Sequence, residues 1–184
     1  MNIRQAKPTE ATNVAPLVYA AIHDIAYTLT GTTEKEQVLE RLAMWISRPA
    51  NRLSYENIWV ADVDHTIAGI IIAYPGEAAA ALDEPIQRWL LQAGQIGQLD
   101  VETEGNVLYI DSVAVDTRFG GRGIGTNLIR HVIGHARASG IPVVTLNVDQ
   151  SNPAAARLYE RLGFQKEKEI DISGARFDYM ALEV

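Results

Sequence analysis

The 184-residue sequence contains no cysteine, which excludes disulfide bridges, zinc knuckles, iron–sulfur clusters and thiol nucleophiles. It has no apolar run near the roughly 20 residues that a membrane-spanning helix needs. Its longest apolar run, 66–74, has the length of a strand, and the first seven residues lack the apolar core of a signal peptide. Basic residues are also scarce, because 16 lysines and arginines face 23 acidic residues and the net charge is −7. We therefore expect a cytoplasmic protein that binds neither membranes nor nucleic acid.

The composition is that of an ordinary globular protein, with 47% hydrophobic and 21% charged residues. A chain of this length is expected to form one domain over residues 1–184 and to bury a large core. Hydrophobic spacing predicts the element order β-α-α-β-β-(α)-β-α-β-α-β-β, and therefore an α/β fold with a mixed sheet of about seven strands and flanking helices.

The pattern also predicts where individual elements lie. One helix is expected to begin after residues 8–10 and to run to a break at 30–33, with Pro16 kinking it or marking its start. A further helix is expected over 83–93, with Pro85 near its first turn. The remaining predicted helices lie at 34–47, 126–139 and 153–162, and the predicted strands at 2–7, 57–62, 66–74, 107–116, 143–149, 164–172 and 177–183.

A glycine loop, Gly120-Gly-Arg-Gly-Ile-Gly125, stands between a predicted strand and a predicted helix. Residues without a Cβ let backbone N–H groups converge, and the start of a helix adds positive potential, so the loop suits a phosphate or pyrophosphate. Arg122 can add a charged contact. A nucleotide-hydrolysing P-loop is disfavoured because Thr126 stands where that motif needs lysine, and no dinucleotide-binding glycine pattern is complete. A tight structural turn is the alternative.

Two separate motifs carry a family resemblance: VAVDTRFGGRGIGTNLI at 113–129 and NPAAARLYERLGF at 152–164. Together they resemble the GCN5-related N-acetyltransferase (GNAT) superfamily in order and spacing. The resemblance implies the GNAT acyl-CoA N-acyltransferase fold, acetyl-CoA as cosubstrate and no metal. It places a cofactor-binding core at 107–164 and a variable insertion at about 75–106.

The resemblance also implies which residues contact acetyl-CoA. The loop residues would bind its pyrophosphate through backbone amides, and strand residues would flank its pantetheine arm as an added strand would. Gly120 departs from the family, which has Gln or Arg there, and Arg118 or Arg122 could compensate. The implied contact residues are Val113, Ala114, Val115, Gly120, Gly121, Arg122, Gly123, Ile124, Gly125, Thr126, Asn147 and Asn152.

Two side chains are candidates for proton transfer. Tyr159 matches the family tyrosine near the thioester sulfur and would act as acid, although it also lies on an apolar helical stripe typical of a core. Asp111 is the candidate base, or a group that attracts a cationic substrate. Strict alternation would place Tyr109, Asp111, Val113 and Val115 on one face of their strand, unless a bulge interrupts it. The alternative is that Asp111 is an exposed carboxylate on the strand with no catalytic role.

The predicted activity is acetyl transfer to a primary amine of a small molecule or peptide by direct attack on the thioester. The acidic stretch 100–111 favours a cationic amine, although Glu102 and Glu104 by themselves suggest a solvated loop. Two other classes of function stay open: a non-catalytic acyl-CoA sensor and a nucleotide-binding α/β protein. Residues around Trp89 could line the acceptor site or pack on the core, and residues 164–184 are a candidate homodimer interface.

Overall fold

The computed structural model describes all 184 residues and contains seven β-strands and six α-helices. The strands are β1 (Asn2–Gln5), β2 (Ile58–Val63), β3 (Thr66–Pro75), β4 (Leu108–Val115), β5 (Val143–Asp149), β6 (Gln165–Ile172) and β7 (Ala175–Glu183). The helices are α1 (Ala11–Ile22), α2 (Ile25–Thr30), α3 (Lys35–Ile46), α4 (Ala79–Gln92), α5 (Ile124–Ala138) and α6 (Pro153–Arg161).

All seven strands form one sheet in the order β1-β2-β3-β4-β5-β7-β6. The β4–β5 pair is parallel and every other neighbouring pair is antiparallel. The parallel pair arises because helix α5 carries the chain back across the sheet between the two strands. The predicted α/β fold with a mixed seven-stranded sheet is confirmed.

Each face of the sheet packs on its own apolar core. Helices α1 to α4 cover one face and enclose a cluster of 22 buried residues, whereas α5 and the partly buried side of α6 cover the other face and enclose 17. The central strand β3 supplies both clusters, with Ile70, Ile72 and Tyr74 on the first face and Ile71 and Ala73 on the second. Burial on both sides explains why residues 66–74 form an uninterrupted apolar run.

The prediction of a single helix between residues 10 and 30 is wrong, because this segment forms two helices, α1 and α2. His23 adopts a positive φ of 45° at the end of α1, which no continuous helix permits. Pro16 lies inside α1 instead of starting it, and Val14 and Val18 on the same helix are fully buried. No helix in the structure has both the length and the apolar composition to cross a bilayer.

Helix α4 begins at Ala79, four residues before the predicted start at Asp83. Alanine is the strongest helix former, so the run Ala79–Ala81 extends the helix backwards. Pro85 consequently lies in the helix interior and not in its first turn. Asp83 also lies inside the helix, and its Oδ1 is 3.4 Å from Nη1 of Arg52 in the loop that precedes β2.

A bulge in β4 changes which side chains share a face. The register with β3 pairs Ala73 with Ile110 and Ile72 with Ser112, so Asp111 is an extra residue. Beyond the bulge, Val113 and Val115 pack on the α5 side of the sheet, together with Ile110. The strict alternation that put them on the face of Asp111 is therefore wrong, and the interruption allowed for in the sequence is present.

Candidate active site

A gap opens in the sheet beside the bulge. Strands β4 and β5 are paired only from Leu108 to Ile110 and from Val144 to Leu146, although both strands continue for several residues. The edge of β4 that faces β5 thus has no strand partner over 111–115, and the edge of β5 has none over 147–149. The predicted pantetheine-binding residues lie on these two edges: Val113, Ala114, Val115 and Asn147.

The glycine loop leads directly into α5 and presents free backbone donors. Gly121 and Gly123 adopt φ values of 74° and 71°, a left-handed conformation that side chains other than glycine rarely accept. None of the backbone N–H groups over 121–126 donates a hydrogen bond within the chain. Because α5 begins at Ile124, two residues earlier than predicted, Gly125 and Thr126 belong to its first turn. The loop and helix start therefore form a site suited to a phosphate anion.

The two arginines near this loop differ in whether an acidic side chain already pairs with them. Arg118 is paired with the carboxylate of Asp116 at 2.6 Å. The guanidinium of Arg122 lies 5.4 Å from the ring centre of Phe119 and has no acidic partner. Gly120 has an ordinary φ of −57°, so this position could carry the longer side chain seen in the family. Of the two arginines that could compensate for Gly120, Arg122 is the one available to an anion.

Helix α6 carries the second motif. The side-chain oxygen of Asn152 accepts a hydrogen bond from the N–H of Ala155 at 3.1 Å, so Asn152 is the N-cap of the helix. The ring of Tyr159 packs edge-on against Phe164 with ring centres 6.0 Å apart, and its hydroxyl has no partner in the chain. Burial raises the pKa of Tyr159, which keeps the phenol protonated at neutral pH. Tyr159 thus packs on the core and still retains a proton to donate.

The bulge residue Asp111 is buried and charged, and its carboxylate is 4% exposed. Arg52 donates to it from Nη2 at 2.5 Å and from Nε at 3.1 Å, while Tyr74 and Ser112 donate at 2.8 Å and 2.7 Å. Burial opposes ionisation, but the Arg52 charge and these hydrogen bonds outweigh it and lower the pKa of Asp111. The alternative of an exposed strand carboxylate is wrong. A carboxylate with a lowered pKa is a weak proton acceptor, so the base role stays a prediction.

Arg52 is the centre of a buried ion cluster. Besides Asp111, it contacts Glu102 at 2.8 Å and Asp83 at 3.4 Å, and its own side chain is 4% exposed. Its backbone N–H donates to the carbonyl of Leu82 in α4, which fixes the loop before β2 against that helix. The guanidinium stays charged because the surrounding acids raise its pKa despite the burial.

Glu102 belongs to this cluster. The sequence context predicted a solvated loop side chain, and for Glu102 this prediction is wrong. Its side chain is 11% exposed, and Tyr109 donates to its second carboxylate oxygen at 2.7 Å. Asn147 extends the network, since its Nδ2 donates to the backbone oxygen of Glu102 at 3.0 Å and to the Tyr109 hydroxyl at 3.1 Å. The Oδ1 atom of Asn147 is buried without a partner, and it belongs to a residue at the edge of the gap.

The sequence reading missed two members of the cluster. Arg52 lies in a loop between Pro49 and Tyr55, where a charged residue ordinarily faces solvent. Asp83 stands at the predicted start of a helix, and nothing near it in the sequence indicates a chemical role. The one available signal was the apolar surroundings of the α4 segment, because a carboxylate among alanines, Ile86 and Leu90 is partly desolvated when that helix packs. Trp89 is half-buried and packs edge-on against Trp45, which belongs to the core.

Comparison with known proteins agrees with this arrangement. The family model described as the acetyltransferase (GNAT) family matches residues 20–164. A crystal structure described as an acetyltransferase superposes over the full length of both chains, with a TM-score of 0.80 and 32% identity.

Curated relatives match over shorter stretches. A mycothiol acetyltransferase of Streptosporangium roseum is 48% identical over 54 residues, which is 29% of this chain and 16% of the relative. A spermine/spermidine N(1)-acetyltransferase of Bacillus subtilis is 29% identical over 84 residues, 45% of this chain and 55% of the relative. This chain therefore matches about half or less of the length of these relatives. The family model covers most of this chain, and the chain belongs to the GNAT family of acetyl-transferring enzymes.

Proposed function

We propose that the protein is an acetyl-CoA-dependent N-acetyltransferase that transfers the acetyl group directly to a primary amine. The observation that carries this proposal is that the structure has both an open gap between β4 and β5 and a set of backbone N–H groups over 121–126 without acceptors. GNAT enzymes use acetyl-CoA, and the two features match its two parts: a gap for an extended arm and a donor cradle for a pyrophosphate.

The residues present fit that cosubstrate. Left-handed glycines at 121 and 123 keep the cradle open, since a Cβ on either would point into empty space where a ligand approaches. Arg122 supplies a charge in place of the one that Gly120 lacks. The unpaired Oδ1 of Asn147, on the β5 edge of the gap, is a further polar group for the cosubstrate, and the amide nitrogen of the Asn152 side chain has no partner in the chain.

Acetyl-CoA would supply the acetyl group as a thioester. In the overall reaction a C–N amide bond forms, the C–S bond breaks, the sulfur leaves as a thiol with one proton, and an ammonium substrate releases one net proton. Tyr159 holds its proton at neutral pH and is proposed to give it to the leaving sulfur. Asp111, fixed at the bulge by Arg52, is proposed to attract the cationic amine, with proton acceptance as its second candidate role.

Ligand-dependent thermal stability tests cofactor binding. Acetyl-CoA at about 100 times its Kd should stabilise the protein by about 2.7 kcal/mol, whereas NAD and ATP should have no effect. Stabilisation by NAD or ATP without any by acetyl-CoA would identify a nucleotide-binding protein instead.

Turnover is tested by thiol release with a panel of amines. Because the chain has no cysteine, every thiol detected comes from CoA. Tyr159→Phe should lower kcat at least tenfold and leave the Kd of acetyl-CoA unchanged. Tight acetyl-CoA binding without thiol release for any amine would support the alternative of a non-catalytic acyl-CoA sensor.

The proposed homodimer would use residues 164–184, which form the strands β6 and β7. Strand β6 is the edge of the sheet, and its outer backbone groups are free to pair with a second copy. Light scattering coupled to size-exclusion chromatography measures the mass, and a 20.2 kDa particle would exclude the dimer.

A further inference from the structure

A cavity of about 340 Å³ lies on the α1–α4 side of the sheet, next to the bulge. Its walls come from the end of β3, the first half of α4 and the segment 101–105, and the side chain of Arg52 also lines it. The volume is at the lower end of the range for small-molecule sites. The predicted insertion, 75–106, thus supplies most of the wall of this cavity.

The cavity carries a surplus of negative charge. Four of its lining residues are acidic, namely Glu77, Asp83, Glu102 and Glu104, and Arg52 is its only basic residue. Asp111 lies behind Arg52 and adds a fifth carboxylate to the same group. Two of these carboxylates, on Glu77 and Glu104, belong to exposed residues. One guanidinium cannot neutralise the whole group, so the cavity attracts a ligand with more than one positive charge.

Unpaired polar atoms give a second, independent indication of a ligand. The Oγ1 of Thr103 is buried without a hydrogen-bond partner, and this residue is 5% exposed and lines the cavity. The Oδ1 of Asp83 is likewise buried without a hydrogen bond, since its 3.4 Å contact with Arg52 lacks hydrogen-bond geometry. Buried acceptors without donors are rare, and an ammonium group would supply the missing N–H donors.

We propose that this cavity is the acceptor subsite of the transferase, that it selects amines carrying a second positive charge, and that Asp83 accepts the proton of the reacting ammonium. The inference rests on the proposed function and adds a substrate class and a residue to it. The reacting nitrogen gives one proton to Asp83 before it attacks the acetyl carbon. It loses a second proton to water as the amide forms, and the departing sulfur takes the proton of Tyr159. Tyr159 then regains a proton from water and Asp83 gives its proton to water, so both groups are restored and one net proton is released.

The surroundings of Asp83 suit this task. Burial, with Glu102 and Asp111 adding repulsion, raises the pKa of Asp83 to about 6 despite the opposing charge of Arg52. At pH 7 the group is therefore ionised and ready to accept a proton. It is also a stronger base than an ordinary aspartate, and stronger than Asp111, whose pKa is lowered.

The test compares 1,4-diaminobutane with n-butylamine, which has the same carbon chain and one charge. The kcat/KM for the diamine should be at least tenfold higher. Glu77→Gln and Glu104→Gln should raise KM for the diamine severalfold and raise KM for n-butylamine by less, because the diamine carries two charges and n-butylamine one. Equal kcat/KM values for both amines would overturn the charge selection.

Asp83→Asn tests proton acceptance. It should lower kcat at least tenfold and remove an inflection near pH 6 from the profile of kcat/KM, and Asp83→Glu should restore part of the rate. Glu84→Gln is the matched control, because Glu84 is the next residue of the helix and its exposed side chain pairs with Arg88. The Glu84→Gln control should keep the wild-type pH profile. If Asp83→Asn also keeps that profile, Asp83 is not the proton acceptor.

Direct binding separates this inference from the proposed function. In buffers of equal ionic strength, 1,4-diaminobutane should raise the Tm of the protein without acetyl-CoA, and n-butylamine should not. Diamine stabilisation without acetyl-CoA binding would refute the proposed function and leave the cavity as a diamine-binding site with no acceptor role. Acetyl-CoA turnover without preferential binding of the diamine would refute the acceptor site alone.

Discussion

Replacing Asp83 with asparagine should stabilise the protein at neutral pH, although it removes a group that contacts Arg52. The structure raises the pKa of Asp83 from an ordinary value of 3.8 to about 6. Each pKa unit corresponds to about 1.4 kcal/mol, so the ionised carboxylate lowers the stability of the folded state by about 3 kcal/mol at pH 7. Asparagine has nearly the same shape and carries no charge. The expected gain for Asp83→Asn is therefore up to about 3 kcal/mol.

The gain should depend on pH in one defined window. Because the pKa of Asp83 is higher in the folded chain than in the unfolded chain, the folded state binds more protons between about pH 4 and pH 6. The Asp83 contribution to stability is thus fully present below pH 4 and is lost as the pH rises through 6. Wild type and Asp83→Asn should be equally stable near pH 3.5, and the difference should reach its full size by pH 7.

Urea denaturation followed by circular dichroism at pH 3.5, 5, 6 and 8 measures this difference. The neighbouring variant Glu84→Gln should match wild type at every pH, because its side chain is 62% exposed. A destabilised Asp83→Asn at pH 8 would refute the reasoning. It would mean that the attraction of Arg52 exceeds the burial of the carboxylate, and that Asp83 has a lowered pKa unsuited to accepting protons.

The remaining predictions concern the cluster and the loop. Arg52→Met should cost about 3–5 kcal/mol and lower the Tm by about 6–20 °C, with a larger loss at pH 8 than at pH 5, because it leaves Asp111 buried without a counter-charge. Gly123→Ala should cost roughly 1–2 kcal/mol and weaken acetyl-CoA binding in calorimetry, since its φ is 71°. Gly134→Ala, inside α5 with open space around its Cβ, should instead stabilise by about 0.5–1 kcal/mol. Gly120→Arg should tighten the Kd of acetyl-CoA severalfold, and an unchanged Kd would make this departure from the family neutral.

Local patterns predicted the fold because its elements carry their own signals. The apolar run of β3, the glycine that follows α5 and the Asn-Pro start of α6 each specify a strand or a helix end without help from distant residues. The break at His23 could not be predicted in this way. The apolar spacing continues across it, and only packing of α1 and α2 against the rest of the core determines where the helix divides.

The conformation of the glycine loop could be predicted for the same reason, since the phosphate binding proposed for it needs only backbone groups of consecutive residues. The ion cluster could not, because its members are far apart in sequence: Arg52, Asp83, Glu102 and Asp111 come from four different segments. Each of them alone reads as a solvated charge. Their burial, and with it the opposite pKa shifts of Asp83 and Asp111, exists only once the helix of the insertion has packed beside the bulge.

The buried ion cluster around Arg52 adds little to the stability of the fold, which supports a role in function. Burying one guanidinium among several carboxylates seldom gains free energy over apolar side chains of similar volume. The raised pKa of Asp83 means that this acid opposes folding at neutral pH. Arg52 nevertheless links the insertion, through Asp83 and Glu102, to Asp111 at the start of the β4–β5 gap. Substitutions in the insertion should therefore alter the choice of amine and leave the Kd of acetyl-CoA unchanged, because the glycine loop proposed to bind its pyrophosphate belongs to the α5 side of the sheet.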